Sequence, residues 1–163
     1  MPANPLSTAI KDTLWPYLQG LGFKKATDRK FAREHGGIIQ HVWVDANGVA
    51  RAGSTRITLC CTFPFAPSNS YLDPHGFVIR GGRTFDMSSE AAAQASLKAI
   101  MGALQHADLA RLEKMSGLDV MIEALLPYPA WHVDYSQMVA RWVQGDAGLV
   151  AQAEQVRKEL GLA

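Results

Sequence analysis

Apolar residues recur along this chain with two periods, near 3.6 toward both ends and 2 in between. Leu6, Ile10, Leu14, Tyr17, Leu18 and Leu21 fall on one helical stripe. Asn4-Pro5 opens it, since Asn caps free N–H groups and Pro loses nothing at the first helical position. Pro16 inside the stripe predicts a kink or an early end, and Gly20 and Gly22 close the segment. Alternation then takes over. Arg29 to Glu34 reads as a short strand, His35-Gly36-Gly37 as a turn, and Ile38–Asp45 as a second strand. A two-residue turn at Asn47-Gly48 would pair this strand with a third, placing Ile38 opposite Ile57 and Gln40 opposite Thr55.

The period of two divides these strands into faces. Phe31, Ile38, Gln40, Val42, Val44, Ile57, Leu59, Cys61 and Phe63 share one, a coherent core face. Lys30, Ala32, Glu34, Ile39, His41, Trp43, Ser54, Arg56, Thr58 and Cys60 share the other. This second face is mixed, and Ile39 and Trp43 are larger than a solvent face needs. Either helices cover it in part, or Trp43 anchors a partner there, because Trp and Arg are favoured at the energetic centres of interfaces.

Residues 64–76 form a loop rich in Pro, Ser, Asn and Asp. A short second hairpin follows, FVIR and RTFD around a Gly81-Gly82 turn. From Ser88 onward the pattern is helical. Asp86 or Ser88 caps a helix with Leu97, Ile100, Met101 and Leu104; a shorter one with Leu109 and Leu112 runs to Gly117; another stops at Pro127-Tyr128-Pro129. Asp134 caps a helix bearing Tyr135, Met138, Val139, Trp142 and Val143. Gly145-Asp146 ends that helix and starts the last, with Leu149, Val150, Ala153, Val156 and Leu160. The expected fold is one α+β domain over residues 1–163. An N-terminal helix and an antiparallel meander of about three to five strands occupy 1–87, and a helical half over 88–163 packs on one sheet face.

Composition narrows the function. The chain is long enough for a sizeable core, with 48% apolar and 19% charged residues. A net charge of +1 argues against a dedicated nucleic-acid binder, which carries a strong basic excess. Between Lys24 and Arg56, however, seven basic residues face three acidic ones, which leaves room for a local anion-binding face. Cys60 and Cys61 are adjacent and point to opposite sides of a strand, so they are poorly placed to bond each other. Two free thiols, no secretory signal pattern and no membrane-length apolar segment together predict a cytoplasmic protein.

No nucleophile elbow, zinc-protease helix or phosphate loop occurs, and no cofactor motif. Gly20-Leu21-Gly22 before Lys24-Lys25 imitates a phosphate loop but follows a helix rather than a strand. The five histidines lack metal-ligand spacing, so no metal site is expected. His41 stands out, because the strand pattern puts it on one face with Glu34, Trp43 and Arg56. A carboxylate, an imidazole and a guanidinium there suit acid–base work or anion binding, and equally an ordinary cross-strand ion-pair ladder. Tyr71, Asp73, His75, Arg80 and Arg83 cluster in and after the loop, where turn chemistry explains Asp73-Pro74-His75-Gly76 and ligands also tend to bind.

The opening helix, Gly22-Phe23-Lys24-Lys25, Phe31-x-Arg33, the apolar strand Ile38–Val44 and a further strand together resemble, over residues 6–65, the bacterial domain-of-unknown-function family numbered 4304. The resemblance implies a fold and no activity. The expected function is a non-enzymatic protein-binding module contacting its partner through Trp43, His41, Arg56 and Glu34, or through Tyr71, His75 and Arg80. Two alternatives stand beside it. One is an immunity-type protein that neutralises a toxin by binding it, by analogy with other small α+β proteins. The other is a small-anion receptor or enzyme using Glu34, His41 and Arg56.

Overall fold

A helix that meets proline inside its stripe can stop or widen, and the first segment widens. The computed structural model describes residues 5–44, 54–68, 76–86 and 88–163, with backbone alone along 54–56 and 76–84. In it α1 (Pro5–Ala9) and α2 (Trp15–Gly20) are joined by a π-helical turn, Ile10–Leu14, where the Trp15 N–H bonds the Ile10 carbonyl. Pro16 has no N–H, and its ring crowds the carbonyl four residues back. The wider turn just before it absorbs that mismatch, so Leu6, Ile10, Leu14 and Leu18 stay on one buried stripe.

Five strands follow in an antiparallel meander whose spatial order is the chain order: β1 (Lys24–Thr27), β2 (Lys30–His35), β3 (Ile38–Val44), β4 (Ser54–Thr62) and β5 (Gly76–Asp86). Strand β1 goes beyond the sequence expectation. It is a short edge strand with three of its four residues exposed, so it has no alternation to betray it. Gly36 and Gly37 make the β2–β3 turn, with φ of 62° and 82° and His35 opposite Ile38. Tight hairpins of this hand need positive φ at both central positions.

Two expectations about the sheet are corrected. Ile57 pairs with Val44, six residues beyond Ile38, and Ile39 pairs with Thr62. The Asn47-Gly48 turn lies outside the described residues, but the observed register is not the one a two-residue turn there would set. Because the offset is even, every side chain keeps its face. Gly81-Gly82, expected as a turn, instead lies inside the unbroken strand β5. Ile57 pairs with Arg83 and Leu59 with Arg80, so β5 holds the extra residue of a bulge there, and a second irregularity follows between Leu59 and Cys60. Glycine inside a strand commonly marks such a bulge.

The helical half comprises α3 (Glu90–Ala103), a π-helical turn (Leu104–Asp108), α4 (Leu109–Lys114), α5 (Leu118–Ala124), α6 (Pro129–Val143) and α7 (Ala147–Glu159). Ser89 caps α3, its Oγ accepting the Ala92 N–H at 3.0 Å, in place of Asp86 or Ser88. Helix α6 begins at Pro129, not after Asp134, because proline is pre-set for a first helical turn. Asp146 does cap α7, accepting the Leu149 N–H at 3.1 Å, and its other carboxylate oxygen takes two bonds from Arg141 at 3.0 Å.

The main core lies on the face of Phe31, Val42, Leu59, Cys61 and Phe63, which pack with Leu6, Leu18, Leu97, Ile100, Leu112 and Tyr135. A smaller cluster lies on the other face, where Ala32 and Ile39 meet Val156 of α7 and Leu160 just beyond its end. The helices therefore do not all pack on one face. Leu149, at the start of α7, belongs to the main core, and Val156 and Leu160 belong to the second. Helix α7 thus passes from one side of the sheet to the other across the end where β2 turns into β3.

Candidate functional site

That crossing leaves a cleft. Glu34 and His35 close β2, Gly36-Gly37 turn, Ile38 and Ile39 open β3, and Pro64 follows β4; Trp142 of α6 and Ala153 and Arg157 of α7 complete the walls of a space of about 350 Å³. Ala153 and Arg157 are one helical turn apart and share a face. The small Ala153 lets the helix approach the sheet end, and Arg157 reaches Glu34, Nε to Oε1, at 2.8 Å. Both side chains are nearly half exposed, so the pair adds at most about 1 kcal/mol to stability. It is an available charge pair over an apolar floor. The turn beside it is fixed: a Cβ on Gly36 would come within 2.8 Å of the Ser116 Cβ, at a φ that side chains rarely adopt.

Of the candidate contact residues whose side chains are described, Glu34 lines this cleft and His41 and Trp43 do not. His41 is 4% exposed, and its Nε2 lies 2.8 Å from the Thr62 Oγ1. Burial, aided by the nearby positive charge of Lys30, holds its pKa at about 4, so the ring is neutral near pH 7. Lys30 in turn stands over the ring of half-buried Trp43, its Nζ 3.6 Å from the centroid, and burial lowers its own pKa. Cys60 is fully buried, and burial together with Cys61 pushes its thiol far up.

The backbone spreads the expected trio of Glu34, His41 and Arg56 along the sheet. Glu34 turns to Arg157, His41 bonds Thr62, and Arg56 stands opposite Thr84, four residues along β4 from Cys60, the partner of His41. Four strand residues span roughly 13 Å. The register separates what shared face alone had joined. Arg80 takes the position opposite Leu59, while Tyr71 and His75 lie outside the described residues. The large residues of the second face also find their explanation: Ile39 is buried under α7, and Lys30 and Trp43 are partly open.

One polar group on the core face escaped the sequence reading. Arg33 is 9% exposed, donating from Nε to Gln40 Oε1 and from Nη1 to the Leu21 carbonyl, both at 2.7 Å. Its guanidinium covers the Phe23 ring at 4.7 Å and lies 3.7 Å from Glu113, while Gln40 donates to the Leu112 carbonyl at 3.1 Å. Burial lowers the Arg33 pKa and Glu113 partly offsets this. The network ties the ends of α2 and α4 to the sheet, which is a structural task. Trp142 and Arg157 were also missed as site residues, since no periodicity tells which turn a distant helix will cross.

Among the described residues no group of three His, Cys, Asp or Glu could hold a metal ion, and no helix is long and apolar enough to cross a membrane. No protein-family model, curated protein or solved structure matches this chain.

Proposed function

We propose that this chain is a non-enzymatic protein-binding module whose contact site is the cleft between the Gly36-Gly37 turn and the α6–α7 hairpin. The observation that carries the reading is the chemistry of that cleft. An apolar floor of Ile38, Ile39, Pro64, Trp142 and Ala153 lies beside a half-exposed Glu34–Arg157 pair. Ligand sites are typically concave and mostly apolar with a few placed polar groups, and Trp and Arg dominate the energetics of protein interfaces. At about 350 Å³ the space is near the lower limit for a small-molecule site and suits an inserted apolar side chain. A charge flanking that side chain would exchange with one member of the Glu34–Arg157 pair. Under this reading His41 and Cys60 serve the fold rather than a reaction.

The test uses the chain as bait. A protein retained by the wild type should be lost with Trp142→Ala and with Arg157→Glu, which sets like charges side by side at Glu34. Circular dichroism should show both variants folded. Equal retention by both folded variants would remove the cleft as the contact site.

A further inference from the structure

Where α5 runs into α6 the surface turns apolar. Leu126, Pro127, Tyr128, Pro129 and Ala130 are consecutive, and all five are exposed. Of the five large hydrophobic side chains exposed among the described residues, four fall here: Val120, Leu126, Tyr128 and Val133. Single apolar side chains on a surface need no explanation, whereas an unbroken exposed run does. The run is also held in place. Leu125 before it is buried in the main core, and Trp131 within α6 packs against that core. The Tyr128 N–H donates to the Leu125 carbonyl at 2.8 Å, and the Tyr128 carbonyl accepts from the His132 N–H at 2.9 Å. The Tyr128 ring lies against Trp131, with centroids 5.1 Å apart. A surface ordered in this way loses little further freedom on binding. Roughly 16 Å of helix axis separates Trp131 from Trp142, so the surface is distinct from the cleft beside Arg157.

Its charge is one-sided. From Met115 to Ala140 the chain has three carboxylates, Asp119, Glu123 and Asp134, and no Lys or Arg. All three are exposed, and none makes an ion pair among the described residues. Asp119 and Glu123 stand on the outer side of α5 with Val120, and Asp134 follows Val133 on the outer side of α6, so acid flanks the apolar run on both sides. The next cation along the chain, Arg141, is already held by Asp146. An anionic membrane or a nucleic acid would meet these carboxylates with like charge. A second copy seated on the same patch would set them against themselves, because a two-fold contact uses one surface twice.

We infer that the α5–α6 connection is a docking surface for a cationic amphipathic protein segment, one that combines Lys or Arg with large apolar side chains. Leu126, Tyr128 and Val133 bury the apolar side chains, and the flanking carboxylates attract the cations. The aromatic faces of Tyr128 and Trp131 favour a cation as well. The surface needs no partner in the cleft, so the two can fail separately.

Backbone amide shifts of the full chain test this, in titrations with an amphipathic helical peptide of Leu and Lys and with its Leu and Glu counterpart. The net charge of only +1 gives the Lys peptide no general attraction to the chain. Saturable shifts over residues 119–134 are expected with the Lys peptide, and binding weaker by on the order of tenfold or more with the Glu peptide. Leu126→Ser with Tyr128→Ser should weaken the Lys peptide by on the order of tenfold, and Asp119→Asn with Glu123→Gln by less, since exposed charges are screened. Melting temperatures should stay near that of the parent, because the replaced side chains are largely exposed. Equal affinity for the two peptides, shifts centred on Trp142 and Arg157 instead, or unchanged binding by the Leu126/Tyr128 variant would overturn the inference. Self-association of the chain, or its retention on phosphatidylserine vesicles, would overturn it as well if the same variant abolished either one.

Discussion

The two faces of this sheet are built from the same strands yet bury polar chemistry in opposite ways. On the main core face a charged Arg33 is kept inside by Gln40, a backbone carbonyl and a nearby carboxylate. On the second face His41 is kept inside by giving up its charge, with one hydroxyl partner and a lysine close by. The first solution needs many partners and holds across the pH range. The second needs few and holds only while the ring stays neutral. The difference follows from packing: the main core draws on α1 through α6 and the start of α7, so several backbone groups are within reach, whereas the described helical cover of the second face comes from the later part of α7 and the residues just after it.

The largest test of this contrast is hydrophobic. Phe31→Ala on the main core face should cost about 3–5 kcal/mol by urea denaturation, and Ile39→Ala on the second face should fall near the lower end of about 2–5 kcal/mol. Equal losses would mean that the small cluster is packed as tightly as the large one. Next comes the proton. With a folded pKa of about 4 against an ordinary 6.5, His41 binds its proton more weakly in the fold than in the unfolded chain. Stability is therefore full above pH 6.5, falls as pH drops toward 4, and loses about 3 kcal/mol over that window. His41→Gln should flatten this slope, and a slope that survives the substitution assigns the acid sensitivity to another group. The smallest effect is expected in the Arg33 network. Arg33→Met leaves buried acceptors unpaired and should cost about 1–3 kcal/mol, and Arg33→Met with Gln40→Met less than the sum of the single changes. Strict additivity in that cycle would show that the two side chains are not coupled.

Much of this was legible in the sequence, and the limit is instructive. The faces were readable because a period of two survives any even error in register, which is why Phe31, Val42 and Leu59 fell correctly together despite the displaced pairing. Register itself depends on a connection whose length sequence signals such as Asn47-Gly48 do not settle. Gly81-Gly82 misled for a related reason: two glycines serve a turn and a bulge equally well, and only pairing with β4 decides. The cleft was the least legible feature, since Glu34 and Arg157 belong to helix and strand patterns that are each complete without the other. The backbone positions of Glu34, His41 and Arg56 are spread along the strands by the register, which alternation does not encode.

The passage of α7 across the sheet end also orders events in time. The strands carrying Ala32 and Ile39 leave the ribosome long before Val156 and Leu160 exist. Much of the main core can assemble while the second face waits, half-finished, for α7. Contacts so distant in sequence form slowly, and an uncovered strand face is open to foreign strands and chaperones in the meantime. Helix α7 is thus the latch of the second face, and closing it removes that exposed apolar surface.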